Sequence, residues 1–158
     1  MAVSTTKKAL VRRFDREPLA GFLHPHEYQQ PSGVQILTPA GAVVSVPYAE
    51  IKTVCFVRDW DAPAEPSRIF HTRPKMEGLW IRMTFRDGEL MDGILPNNLL
   101  LWDIFGYSVI PPEPYANNQK VFIPRQALQQ VQVLGVVGSP LTRKRTKAAA
   151  DEQISLFE

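Results

Sequence analysis

The chain repeats its own pattern, and that constrains its fold more than any single motif. "GVQILTP" (Gly33–Pro39) matches "GYSVIPP" (Gly106–Pro112), with Gly and the final Pro at equal spacing. "VSVPYAEIKTV" (Val44–Val54) matches "VFIPRQALQQV" (Val121–Val131): apolar, any, apolar, Pro, three residues, Ile or Leu, two residues, Val. Upstream, "VRRFDREPLAGFL" parallels "IRMTFRDGELMDGIL", aligned with Phe14 opposite Phe85, "GFL" opposite "GIL", and one extra residue at the Asp87-Gly88 turn. Three blocks in the same order imply an internal duplication.

Each copy carries strand signals. Leu10–Phe14 and Leu19–Leu23 flank the charged turn "DREP", Val34–Leu37 and Val43–Val46 flank "TPAGA", and Val54–Val57 is a short apolar run. Pro47 and Pro124 lack an amide proton, so the fourth strand of each copy ends there. "PYAEI" and "PRQAL" then make one helical turn before the fifth strand. The expected class is all-β, with copies at 7–57 and 78–138 joined by a linker at 58–77. Trp60, Ile69 and Phe70 are placed to pin that linker to the body.

Five short strands with one helical turn before the last resemble SH3-like and Sm-like small barrels. The body as a whole resembles a bacterial family of such tandem barrels, a resemblance that implies no particular activity.

Charge separates body from tail. Residues 1–138 carry 14 Lys+Arg and 13 Asp+Glu, whereas 139–158 hold Arg143, Lys144, Arg145 and Lys147 ahead of Asp151 and Glu152. Small and charged residues without apolar period make 139–158 an expected solvated, disordered tether. It ends in "QISLF", Gln153, Ile154, Ser155, Leu156 and Phe157, which resembles the peptide by which many bacterial DNA polymerases, repair proteins and regulators bind the replicative sliding clamp. The pattern there is Gln, often Leu, Ser or Asp, Leu, Phe; Ile154 departs from it at the tolerant second position. The resemblance implies that Leu156 and Phe157 fill an apolar pocket while the Gln153 amide donates and accepts hydrogen bonds.

Other constellations point to binding rather than catalysis. Lys7, Lys8, Arg12, Arg13 and Arg16 form the basic cluster of the body; with Arg143, Lys144, Arg145 and Lys147 they make a candidate nucleic-acid surface. Leu99, Leu100, Leu101, Trp102, Ile104 and Phe105 replace the polar "HPHEYQQPS" of the first copy, an apolar expansion expected to pack between the barrels or to support a weak homodimer. Asp15, Glu17, Asp87, Glu89 and Asp92 read as carboxylates scattered over turns, so no catalytic pair is expected. His24, His26 and Glu27 lack the convergent partners of a metal site, and Cys55 reads as a small core residue. No cofactor is expected. Without an apolar run long enough for a signal peptide or a bilayer span, the expected location is cytoplasmic.

Overall fold

In the computed structural model, which describes residues 5–61, 68–113 and 118–138, the protein is all-β, with three single 3-10 turns and no α-helix among the described residues. No helix there is long and apolar enough to cross a membrane. The first copy forms β1 (Lys7–Arg13), β2 (Leu19–Leu23), a two-residue β3 (Gln29–Gln30), β4 (Gly33–Leu37), β5 (Val43–Val46) and β6 (Ile51–Val57). The second forms β7 (Gly78–Phe85), β8 (Leu90–Leu95), β9 (Gly106–Val109), β10 (Asn118–Pro124) and β11 (Leu128–Val137). The 3-10 turns Tyr48–Glu50 and Arg125–Ala127 follow Pro47 and Pro124, whose extended backbone ends the fourth strands as the missing amide requires.

The two copies pair their strands identically. In the first, β5 pairs β4, β4 pairs β2 at Phe22–Leu37, β2 pairs β1, and β1 pairs β6. In the second, β10 pairs β9, β9 meets β8 through an Ile94–Ile110 bridge, β8 pairs β7, and β7 pairs β11. The repeated glycines have the same job. A Cβ on Gly33 would lie 2.2 Å from the Val46 carbonyl oxygen, and one on Gly106 would lie 2.2 Å from that of Ile123. Only a residue without a side chain lets these strands cross so closely.

One alignment needs correction. Val11 pairs with Leu19 and Met83 with Met91, so the first hairpins of the copies have equal length and Arg13, not Phe14, is the counterpart of Phe85. Burial agrees: Ala9 and Val11 point inward in β1 as Ile81 and Met83 do in β7. A one-residue slip would turn every inward side chain outward, so pleat parity outranks the Phe-to-Phe match.

The copies do not close separately. The first sheet curls into a half-barrel and runs β3-β4-β2-β1-β6-β10-β9, with β5 beside β4; β11-β7-β8 form a second sheet. The link is antiparallel pairing of β6 with β10: Lys120–Phe56, Val121–Cys55 and Phe122–Val54. Alternate residues of both strands feed different cores. Val54, Phe56 and Phe122 join Val11, Leu23, Ile36 and Ile51; Cys55, Val57, Val121 and Ile123 join Ile81, Met83, Phe85 and Leu95. Strands buried on both faces read as continuous apolar runs, as "TVCFV" and "VFI" do.

Candidate functional surfaces

The basic residues of β1 separate by position. Arg12 and Arg13 end the strand and Arg16 follows in the turn, and all three line a cleft of about 380 Å³ with Lys52 and Arg68 from neighbouring segments. Lys7 and Lys8 start the same strand, roughly 15–20 Å away at strand rise. There the Lys8 ammonium lies 5.1 Å from the centre of the Trp60 ring. The five residues therefore do not form one stripe.

Much of the cleft's charge is already matched. The Lys52 ammonium donates to Asp87 and Glu89 carboxylates at 2.6 Å each, and Arg68 pairs with Glu89. The hydrogen bond from Lys52 holds both carboxyl groups below their ordinary range, aided at Glu89 by the Arg68 charge. The Lys52 ammonium lies 5.0 Å from the Phe85 ring centre and 5.7 Å from that of Phe14, and the Arg86 guanidinium stacks 3.9 Å from the Phe14 ring centre while donating to the Ala49 carbonyl. Arg13 turns back to donate to the Glu17 carbonyl at 2.8 Å. This is a cross-copy clamp of ion pairs and aromatic rings.

Among the scattered carboxylates, Asp92 is misread from sequence. It stands within β8, fully buried, directly across from Arg82 of β7. Arg82 donates to both its oxygens, at 2.7 and 3.0 Å, and the Phe70 backbone amide donates at 3.0 Å. Trp80 adds a longer contact, and the Asp92 amide donates to the Arg68 carbonyl. Asp92 thus fastens the linker's end to the second sheet; the carboxylate in turn raises the Arg82 pKa further above its ordinary value. Trp60 fastens the linker's start, its indole donating to the Ala9 and Gly21 carbonyls and its ring meeting Phe22 edge-on.

The apolar expansion divides. Phe105 stacks on Tyr48 with ring centres 5.1 Å apart and reaches the first core, and Trp102 packs against the second while donating to the Pro96 carbonyl. Asn98 caps a 3-10 turn that carries Leu99, Leu100 and Leu101 outward. These leucines are 71%, 92% and 65% exposed, and Ile104 is 82% exposed. Phe105 thus crosses to the first copy, Trp102 stays against the second core, and the four aliphatic side chains face outward, three of them on the tight turn.

Behind Phe105 lies a polar line the sequence did not suggest. Ser108 hydrogen-bonds Asp103, Gln29 donates to the Tyr28 hydroxyl, and Tyr48 donates to the Gln30 carbonyl at 2.7 Å. Burial pushes both Tyr28 and Tyr48 up to about 12. Among the described residues no three His, Cys, Asp or Glu side chains gather as a metal site would need. Gln153, Ile154, Ser155, Leu156 and Phe157, and the basic Arg143, Lys144, Arg145 and Lys147, lie outside the described residues.

With these surfaces placed, comparison with known proteins adds one match. Residues 5–135 fit the model of a family of unknown function, DUF6982. The chain belongs to that family. The match spans both copies of the duplication and ends within β11, so the DUF6982 pattern describes the body and leaves out "QISLF". No curated protein and no solved structure matches the chain.

Proposed function

We propose that this protein is a non-enzymatic adaptor: a body built from two joined copies of a small SH3-like or Sm-like unit that docks on the bacterial DNA sliding clamp through Gln153–Phe157. The observation that carries the reading is the pentapeptide itself, with Gln153, Ser155, Leu156 and Phe157 matching the clamp-binding pattern. β11 ends at Val137, and the residues between it and Gln153 span at most about 50 Å when extended, enough to let body and peptide engage different surfaces. The peptide supplies two apolar anchors and one bidentate amide, so its affinity is modest, in the micromolar range. The test is binding of the full chain to a bacterial sliding clamp, beside a Leu156→Ala/Phe157→Ala variant. Saturable binding lost in the variant supports the reading; equal binding by both, or none by the native chain, removes it.

A second reading draws on the exposed Leu99, Leu100, Leu101 and Ile104. Four large aliphatic side chains held outward on a capped turn favour a protein partner for the body itself. Leu100→Asp/Ile104→Asp would abolish that association without touching clamp binding. In a nucleic-acid reading, Arg12, Arg13 and Arg16 supply the cleft contacts, and binding would survive loss of the peptide but weaken steeply with salt.

A further inference from the structure

The pairing that joins the two copies inside one chain leaves, among the described residues, the equivalent pair of edges open at its ends. Within the chain, the last strand of the first copy, β6, pairs with the fourth strand of the second, β10. Their counterparts are β11, the last strand of the second copy, and β5, the fourth strand of the first. Among the described residues β11 pairs only with β7, and β5 only with β4.

The exposed side chains mark these edges. Val43 is 62% and Val44 36% exposed on β5; Val133 is 59%, Leu134 40% and Val136 56% exposed on β11. At the internal junction Val121, Phe56 and Val57, the counterparts of Val44, Val133 and Leu134, are 1%, 5% and 5% exposed, while Lys120, the counterpart of Val43, stays exposed at the rim. Val133 lies across from Ile81, the counterpart of Ala9 opposite Phe56, so both occupy the same place in the pleat. What differs is the presence of a neighbouring strand. The ten-residue β11 edge carries no Lys or Pro; register shifts interrupt it at Gln129 and Leu134, and Val131, Gln132 and Val133 run unbroken between them.

We infer that β11 of one molecule pairs antiparallel with β5 of a second copy of this chain, repeating the internal β6–β10 junction and giving a head-to-tail assembly. The internal register, carried over position by position, sets Val133 opposite Val43, Gln132 opposite Val44, and Val131 opposite Ser45 of the next molecule. Arg73 caps the β11 edge at the Val136 carbonyl, beyond the residues this register uses. Ser45 and Gln132 stand where Phe122 and Cys55 enter the two cores, so the contact is shallower than the internal one and reversible. Each molecule offers two different edges, so association continues past the dimer until it closes in a ring or extends as a filament.

The experiment is sedimentation velocity and light scattering of the full chain over a wide concentration range. The native chain should exceed twice its monomer mass at high concentration. Val43→Glu/Val133→Glu sets like charges directly across the predicted junction and should hold the chain monomeric. Val43→Glu/Val133→Lys sets opposite charges there and should recover association. Both positions are exposed in the isolated chain, and unchanged circular dichroism in the two variants would confirm that the fold is kept. A native chain that stays monomeric overturns the proposal. So does association unaffected by the double Glu variant, which would point to the Leu99–Ile104 surface, and so does failure of the Glu/Lys variant to recover it, which would refute the register.

Discussion

Asp92→Ala tests whether a buried carboxylate holds the linker to the body. The substitution removes the acceptor for two Arg82 hydrogen bonds and for the Phe70 amide. Charge-assisted bonds contribute about 1.5–3 kcal/mol each, but Arg82 is 32% exposed in its side chain and can turn to water, which discounts its share. The part-buried Phe70 amide loses its acceptor as well, and a small cavity remains, so the cost should be about 3 kcal/mol. For a chain of this size that lowers Tm by roughly 6–12 °C. Arg82→Ala should cost at least as much, about 3–5 kcal/mol, because it leaves a fully buried carboxylate without its counter-charge. The double variant should cost little more than Arg82→Ala alone, since both changes break one pair. Thermal unfolding of the three variants, with hydrogen exchange at the Phe70 amide, measures this directly. Additive losses, or a Phe70 amide as protected in Asp92→Ala as in the native protein, would refute the reasoning.

Three further outcomes follow from local geometry. Lys52→Met removes the main cause of the lowered Asp87 and Glu89 pKa values; the stability they contribute is full above their ordinary values of 3.8 and 4.5 and is lost as pH falls through the lowered ones, so the variant should have a modestly lower Tm at neutrality, converge with the native protein in acid, and show a flatter acid limb of Tm against pH. Two of the four tyrosines, Tyr28 and Tyr48, should ionise near 12 in ultraviolet titration of the folded protein; the unfolded chain ionises them near 10, so stability should be full below 10 and fall as pH rises from there. Gly106→Ala forces a Cβ against the Ile123 carbonyl and should cost about 2–3 kcal/mol or prevent folding, whereas Gly135→Ala meets nothing nearer than 3.9 Å and should be neutral or stabilising by about 0.5 kcal/mol, both read from denaturant midpoints.

The duplication was legible because its markers answer to backbone constraints. Gly33 and Gly106 stand where a Cβ has no room, and Pro47 and Pro124 stand where a strand must stop; neither type can drift without cost. The hairpin alignment failed where it trusted residue identity, pairing Phe14 with Phe85, over the alternation that decides which side chains face inward. Asp92 was missed for a related reason: its meaning depends on the cross-strand neighbour, Arg82, and that neighbour is known only once register is known. The Leu99–Leu101 turn was left open between inward packing and an exposed surface, because composition reports that a loop is apolar and not which way a capped turn directs it. The clamp-like peptide was legible as a motif alone.

The junction was not visible in the reading of the chain as two tandem barrels. "TVCFV" and "VFI" show no alternation, which by itself allows any strand buried on both faces. Each has its two faces in different cores, so the same residues that complete one copy also complete the other. Phe122 belongs by sequence to the second copy, yet its ring meets Tyr28 and Tyr48 of the first, with centres 5.7 and 6.4 Å away. Cys55 and Val57 make the reverse crossing. A duplicated unit whose last strand seeks a fourth strand in its neighbour satisfies that need once within the chain and leaves it unsatisfied at both ends. Val44 and Val133 are exposed for the same reason that Val121 and Phe56 are buried: the pattern is repeated twice, and among the described residues the head-to-tail contact is made once inside and left as two half-contacts outside.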